Sequence, residues 1–439
     1  MESMRAVEII DRKRLGLELD SQEISWIVRG HLAGEVPDYQ MAAWLMAVCC
    51  RGMTPGECSV LTTIMRDSGT TLDLSRVPWP VADKHSSGGV GDKTTMVVAP
   101  IVRACGVAVG KMSGRGLGFT GGTVDKLESV PGYRADLSAA EFISQLERIG
   151  IVVSGQSVEM APADGRLYAL RDVTGTVQSI PLIASSIMSK KLAVGAGALV
   201  LDVKYGAGAF MPTRDEAREL ARMMVDVGLA AGKRVSAILS PMEQPLGRAV
   251  GNALEVEEAI ATLLGRGPED LVTLCVALAG EMVYLAGQAE SPERGAAAAS
   301  QALESGQAAH WFAKLLEAQG GDPRVMDDPS LMGRAGMVVA VPSPRPGWVE
   351  GLNARAVAEA SLLLGAGRQQ KGDAIDPAVG IVLHAKLGDR VEQGAALAEI
   401  YARNAASAEL ARARLLQGYH LTDNRPAPAG EPVERFGGL

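Results

Sequence analysis

Val107-Ala108-Val109-Gly110-Lys111-Met112 runs directly into Ser113-Gly114-Arg115-Gly116-Leu117-Gly118-Phe119-Thr120-Gly121-Gly122-Thr123-Val124-Asp125-Lys126-Leu127-Glu128. A short apolar strand here feeds a loop rich in glycine and hydroxyls. Glycine lets the backbone approach a ligand closely, and successive N–H groups turned to one side make an anion-binding nest. A second loop of the same character precedes it: Lys84-His85-Ser86-Ser87-Gly88-Gly89-Val90-Gly91-Asp92-Lys93-Thr94-Thr95. Strand alternation puts Lys111 and Ser113 on one side of the strand.

On either side of this stretch, short apolar runs alternate with helical stretches. The runs 96–106, 107–112, 151–155, 198–206 and 235–240 are interleaved with amphipathic patterns over 141–150 and 215–232. That alternation argues for a sheet flanked by helices. The first 70 residues instead carry helical spacing, with Ser21, Pro37 and the Thr54-Pro55 pair as start signals and Gly69 as a stop. Residues 71–82 read as a proline-containing connector, and further helices are expected over 253–264, 271–288 and 354–364. Pro342–Pro346 marks a boundary. Beyond it, short strands around Leu387-Gly388-Asp389-Arg390-Val391 and Gly394 resemble half of a biotinyl/lipoyl hammerhead, without the carrier lysine's Met-Lys-Met turn.

Composition narrows the function classes. The 439 residues carry 43 Lys and Arg against 51 Asp and Glu, a net charge of −8. That balance argues against nucleic acid as the main partner, so any bound anion needs a local site. Aromatics are only 4%, too few for a stacking platform. No run of about 18 apolar residues suggests a membrane span, and the N-terminus does not read as a secretory signal. The five scattered cysteines form neither a disulfide framework nor a zinc pattern, so the expected address is cytoplasmic. Gly116–Gly121 fits GxGxxG but lacks the acidic residue about 20 positions on, and no GxxxxGK[ST] or HExxH occurs.

A third segment covers 163–177 and 179–191. On a helix from Pro181, residues Ile183, Ser186 and Lys190 fall on one face and present an apolar contact, a hydroxyl and a cation in line.

The motifs 113–128, 84–95, 171–191 and 199–213, with 244–260 beyond them, together resemble the thymidine and pyrimidine-nucleoside phosphorylases, in the family's order and over nearly the whole chain. Phe119 stands where many members have histidine, Ser87 where threonine is common, and Ser240-Pro241 precede Met242 where an aspartate is usual.

The resemblance implies an α/β fold: a small all-helical domain (1–66 and 163–193), a large mixed α/β domain (80–155 and 197–345), and a hammerhead-like C-terminal module (346–439). It implies reversible phosphorolysis of pyrimidine nucleosides to free base and α-pentose 1-phosphate, with inversion and with closure of the cleft between domains. Lys84, Ser86, Thr95, Ser113 and Thr123 would hold phosphate, the co-substrate. Arg171, Ser186 and Lys190 would bind the base, and His85 would donate to its 2-carbonyl. Leu117, Ile183 and Phe210 would form an apolar wall. Lys111 would read the sugar 2-hydroxyl, favouring activity on uridine, deoxyuridine and thymidine.

No organic cofactor is implied. A structural monovalent cation such as K⁺ is, on the carbonyls of Gly88, Val90, Leu246 and Ala249 and the carboxylate of Glu258. A homodimer through the N-terminal helices is also expected, from the apolar content of Ile24, Trp26, Ile27, Trp44, Leu45 and Met46. The alternatives are an enzyme restricted to 2′-deoxynucleosides, a transferase resembling anthranilate phosphoribosyltransferase, and a catalytically silent nucleoside or phosphate binder.

Overall fold

Caps set where the first helices begin. The computed structural model describes residues 4–116, 121–157, 159–368, 370, 372–427 and 433–436; the expectations for Leu117 and Phe119 lie outside them. Helices α1 (Ala6–Arg14), α2 (Ser21–Ala33), α3 (Asp38–Arg51) and α4 (Pro55–Arg66) come first. The cap of α2 is Asp20, not Ser21: its carboxylate accepts from the N–H groups of Gln22 and Glu23, and Glu23 answers the Asp20 N–H. An ionised carboxylate makes the stronger cap at the positive helix end. Thr54 and Glu57 close the same reciprocal box on α4, which ends at Arg66, ahead of the expected Gly69.

The central layer follows as β1 (Val81–Ser86), α5 (Thr94–Ala104), β2 (Ala108–Ser113), α6 (Thr123–Leu127), α7 (Ala139–Ile149), β3 (Ile151–Gly155), α8 (Pro162–Thr174), α9 (Ile180–Ala193), β4 (Ala198–Tyr205), α10 (Arg214–Ala230) and β5 (Arg234–Pro241). After it come β6 (Ala249–Val250), α11 (Asn252–Leu263), α12 (Glu269–Leu285), α13 (Pro292–Glu304) and α14 (Gln307–Ala318). The C-terminal part holds β7 (Met337–Pro342), β8 (Gly347–Leu352), α15 (Ala354–Leu364), β9 (Gly380–Leu383), β10 (Arg390–Val391), β11 (Ala396–Ala402), α16 (Ala405–Leu416), β12 (Tyr419–Thr422) and β13 (Glu434–Phe436).

The main sheet has the order β13-β5-β4-β1-β2-β3, parallel except for β13. From β1 the chain winds outward to β2 and β3, then returns to place β4 on the other flank of β1. In open parallel sheets, ligands bind beyond the carboxyl ends of the strands at such a reversal. The reversal therefore puts the ends of β1, β2 and β4 at the expected site.

Two sequence readings are corrected here. Residues 96–106, read as an apolar run among strands, are the body of α5. The strand they seemed to supply lies earlier, at Val81–Ser86, partly inside the expected connector. The C-terminal strands β7 to β12, joined by β6, form two small sheets, β6-β9-β11-β7 and β10-β8-β12. Among the described residues, three strand pairs cross the boundary expected at 346: β6 pairs with β9, β7 pairs with β11, and β13 returns to pair with β5.

The hydrophobic cores show how the helices divide. Ala163, Leu167 and Leu182 pack into the core formed by α1–α4. Ala184, Met188 and Leu192 of α9 pack instead with β4, β5 and α10. Helix α9 thus joins the helical bundle to the sheet. Within the bundle, Ile24, Ile27, Trp44 and Leu45 are fully buried inside the protomer, so they offer no surplus apolar surface to a partner. Of the six residues cited for dimerisation, Met46 is exposed and Trp26 half-buried.

Candidate active site

Lys84, His85 and Ser86 are the last three residues of β1. The Lys84 ammonium donates to Thr94 Oγ1 and lies 3.2 Å from the Asp202 carboxylate on the neighbouring β4. Ser86 Oγ donates to Asp92 Oδ2 at 2.5 Å, and Thr94 Oγ1 donates to Asp92 Oδ1 at 2.6 Å. Asp92 therefore ties the end of β1 to the first turn of α5, where Thr94 and Thr95 are buried. Burial alone would raise its pKa, but Lys204, Lys84 and Lys126 outweigh that and hold it well below the usual carboxylate range.

The glycines of this loop have specific work. Gly91 sits at φ +72°, and a Cβ there would lie 2.6 Å from the Leu246 carbonyl oxygen. A Cβ on Gly122 would lie 2.2 Å from the Gly116 nitrogen, so only glycine lets the second loop fold back on itself.

Ser113 ends β2 and Thr123 begins α6, on either side of that second loop. Lys111 is buried. It does not face solvent at the strand end, and with Lys84 and Thr95 it lines a small cavity between β2 and α5. Lys111 Nζ shares the Met112 carbonyl with Lys191 Nζ, at 3.3 and 3.1 Å, while Asp83 pairs with Lys191 at 2.9 Å. Burial and then the Lys191 charge push the Lys111 amine well below its ordinary range. His85 keeps part of its surface open. Burial of the ring, followed by the charges of Lys191, Lys111, Lys84 and Lys190, holds the imidazole well below its ordinary range. The ring is thus a neutral donor at physiological pH, not an imidazolium.

Facing these groups are α8 and α9. Lys190 Nζ pairs with Asp164 and donates to Ser186 Oγ at 3.2 Å, so Ser186 and Lys190 do share a helix face. Ile183, half-buried, is one turn earlier. The Arg171 guanidinium donates to the carbonyls of Thr176, Leu182 and Val177 at 3.1, 3.1 and 2.7 Å. These three carbonyls hold the buried guanidinium in place between α8 and α9. A small cavity lined by Met112, Ser157, Lys190 and Lys191 lies between α9 and the ends of β2 and β3. Phe210 is partly exposed and packs over Gly88, where a Cβ would lie 3.3 Å from its ring.

The cation expected on Gly88, Val90, Leu246, Ala249 and Glu258 does not fit. Lys93 Nζ already sits among these oxygens, donating to Leu246 O at 3.0 Å, Ala249 O at 2.8 Å and Glu258 Oε2 at 2.5 Å. The Val90 carbonyl accepts from the Leu246 N–H at 3.0 Å.

Sequence reasoning passed over the acidic partners Asp83, Asp92, Asp164 and Asp202, and the lysines Lys126, Lys191 and Lys204. Lys204 pairs with Asp202 at 2.9 Å, and Lys126 with Glu255 at 2.6 Å. One signal was available. Asp202 and Lys204 stand two apart on an otherwise apolar strand, so both charges must face one side and be paired there. Asp125 is another such hub, accepting from Arg115, from the Gly116 N–H and from Arg368 beyond α15.

Comparison with known proteins defines the class first. Residues 7–69 match the glycosyl transferase family, helical bundle domain, and residues 79–309 its a/b domain. Residues 348–422 match the pyrimidine nucleoside phosphorylase C-terminal domain. Among curated proteins, the chain is 52% identical over 398 residues to a pyrimidine-nucleoside phosphorylase of Geobacillus stearothermophilus, covering 91% of this chain and 92% of that one. It is 51% identical over 399 residues to the enzyme of the same name from Bacillus subtilis, with the same coverage. The chain belongs to the pyrimidine-nucleoside phosphorylase family of glycosyl transferases. The crystal structure of anthranilate phosphoribosyltransferase from Thermus thermophilus shares the fold, with TM-score 0.58 and 23% identity over 71% of this chain and 99% of that one.

Proposed function

We propose that the protein is a pentosyltransferase that catalyses reversible phosphorolysis of pyrimidine nucleosides, giving the free base and α-pentose 1-phosphate. The observation that carries this reading is one of placement. Lys84, Ser86 and the N-terminus of α5 lie at the sheet's topological reversal, while the hydroxyl and cation of Ser186 and Lys190 share the facing side of α9. Half-identity to named pyrimidine-nucleoside phosphorylases supports the same chemistry.

Phosphate binds on Lys84, Ser86, Thr95, Ser113 and Thr123. Arg171, Ser186 and Lys190 hold the pyrimidine. Attack of a phosphate oxygen on the anomeric carbon breaks the glycosidic bond from the opposite face, which accounts for inversion. Negative charge then grows on the departing base, and preoriented cationic donors stabilise it there. His85, a neutral donor, hydrogen-bonds the base 2-carbonyl. Phosphate brings two negative charges into a cluster of lysines, so its binding relieves the repulsion they impose on one another.

Lys111 reads the sugar. Its amine lies beside Lys84 and Thr95 and offers donors to a ribose 2-hydroxyl. Uridine, deoxyuridine and thymidine are therefore substrates, and cytidine is poor because its 4-amino group meets cationic donors. The enzyme works as a homodimer in the cytoplasm, in nucleoside salvage. Light scattering tests the dimer, and a monomer mass would contradict it.

Uridine cleavage followed by ultraviolet absorbance, with and without phosphate, tests the activity. Strict phosphate dependence is expected. Equal rates without phosphate would indicate a hydrolase and overturn the reading.

A further inference from the structure

Three of the oxygens expected to hold a dissociable cation converge on a lysine. Lys93 has no exposed side-chain surface and is encircled by Leu246 O, Ala249 O and a Glu258 carboxylate oxygen, all within hydrogen-bond distance. Glu258 also accepts from the N–H groups of Arg248 and Ala249, so one carboxylate organises both the loop and the ammonium. The charges balance: one carboxylate, one ammonium, and neutral carbonyls around them. All three surrounding oxygens are acceptors, matching the three N–H donors of an ammonium.

We propose that Lys93 is a tethered cation that substitutes for a dissociable monovalent ion, freeing the phosphate loop from any need for potassium, and that shortening this side chain turns the locus into a monovalent-cation site. An ammonium and a large univalent ion require the same kind of cage, a ring of oxygens with one net negative charge. A second univalent ion beside Lys93 would face an uncompensated positive charge. With the lysine removed, the same oxygens and Glu258 are left one positive charge short.

The tether also explains what the cation is for. Lys93 lies between Asp92, which accepts from Ser86 and Thr94, and the first turn of α5. Fixing its side chain on the 246–249 loop fixes both neighbours. Lys93 is therefore a positioning residue for phosphate. The loop itself has an independent anchor. Lys386, from the C-terminal part, donates to the Pro245 and Gly247 carbonyls at 2.9 and 2.8 Å, so the loop keeps its shape when Lys93 is shortened.

The test compares wild type, Lys93→Thr and Lys93→Met in potassium chloride and in tetramethylammonium chloride at matched ionic strength. Melting temperature is the first readout and does not depend on the identity of the substrate; KM for phosphate is the second. Wild type should melt at the same temperature in both salts. Lys93→Thr should melt several degrees lower in tetramethylammonium, with a several-fold higher phosphate KM, and potassium should restore both saturably. Lys93→Met fills the space with an apolar chain and should not respond. Saturable stabilisation of wild type by potassium would overturn the proposal, as would a folded Lys93→Thr indifferent to potassium. If Lys93→Thr cannot be purified, the wild-type comparison decides alone.

Discussion

Replacing Lys190 with methionine should separate chemistry from folding, provided Asp164 is changed alongside it. Lys190 Nζ sits between Asp164, which is 3% exposed, and Ser186 Oγ. Lys190→Met alone strands a buried carboxylate. Breaking a buried pair this way costs about 3–5 kcal/mol, and the lower end applies because a quarter of the Lys190 side chain meets solvent. It also removes one cationic donor from the leaving base, which should lower kcat by about 10²–10³. Asp164→Asn on the same background keeps the shape and removes the stranded charge. The double variant should therefore regain most of the lost stability and none of the rate. Thermal melts and initial rates of uridine phosphorolysis on the four proteins complete the cycle, with the exposed Lys314→Ala as a control that should stay within about twofold. If the double variant recovers rate together with stability, Lys190 acts through the fold and not on the base.

Other expectations follow from individual contacts. Lys111 is more readily protonated in the unfolded chain than in the native one, so between its lowered native pKa and about 10.4 the native state is disfavoured. Lys111→Met should accordingly raise the melting temperature near neutral pH while lowering the uridine to 2′-deoxyuridine ratio of kcat/KM by about two- to tenfold; an unchanged ratio would remove Lys111 from sugar recognition. The His85 pKa is also lowered on folding, so this residue costs stability as pH falls below about 6.5. Denaturant titrations at pH about 7.5 and about 5.5 should show a shallower loss for His85→Gln than for wild type, and parallel losses would contradict the assigned environment. Asp125→Asn weakens the ties to Arg115, Gly116 and Arg368, so phosphate KM should rise with little change in uridine KM; an equal rise in both would argue against a local effect on the phosphate loop.

What the sequence disclosed follows from the range of the interactions involved. Helix α15 begins and ends where its apolar spacing stops, at Ala354 and Leu364, because its signals are local. Helix α5 was obscured by burial: nearly every residue in it is inside, so periodicity carries no information, and its β-branched content imitates a strand. Strand β1 was hidden for the opposite reason. Asp83, Lys84, His85 and Ser86 look like loop residues until Asp202 and Lys191 are brought across to pair with them. The candidate site was legible where glycines and hydroxyls cluster along the chain. Asp164 and Asp83 were not, because they lie far from their partners in sequence: Asp164 is 26 residues from Lys190, and Asp83 is 108 from Lys191. The expected cation site differs from the structure for a related reason. The Leu246, Ala249 and Glu258 oxygens do converge on one point, yet only packing shows that the Lys93 side chain turns inward to meet them.

The central claim is that phosphate itself is the nucleophile and ends on the sugar. Phosphorus NMR of a reaction containing uridine and inorganic phosphate reads this directly. The account predicts that inorganic phosphate falls as α-ribose 1-phosphate appears, in equal amount with free uracil. Uracil released with free ribose and an undiminished phosphate signal would contradict it.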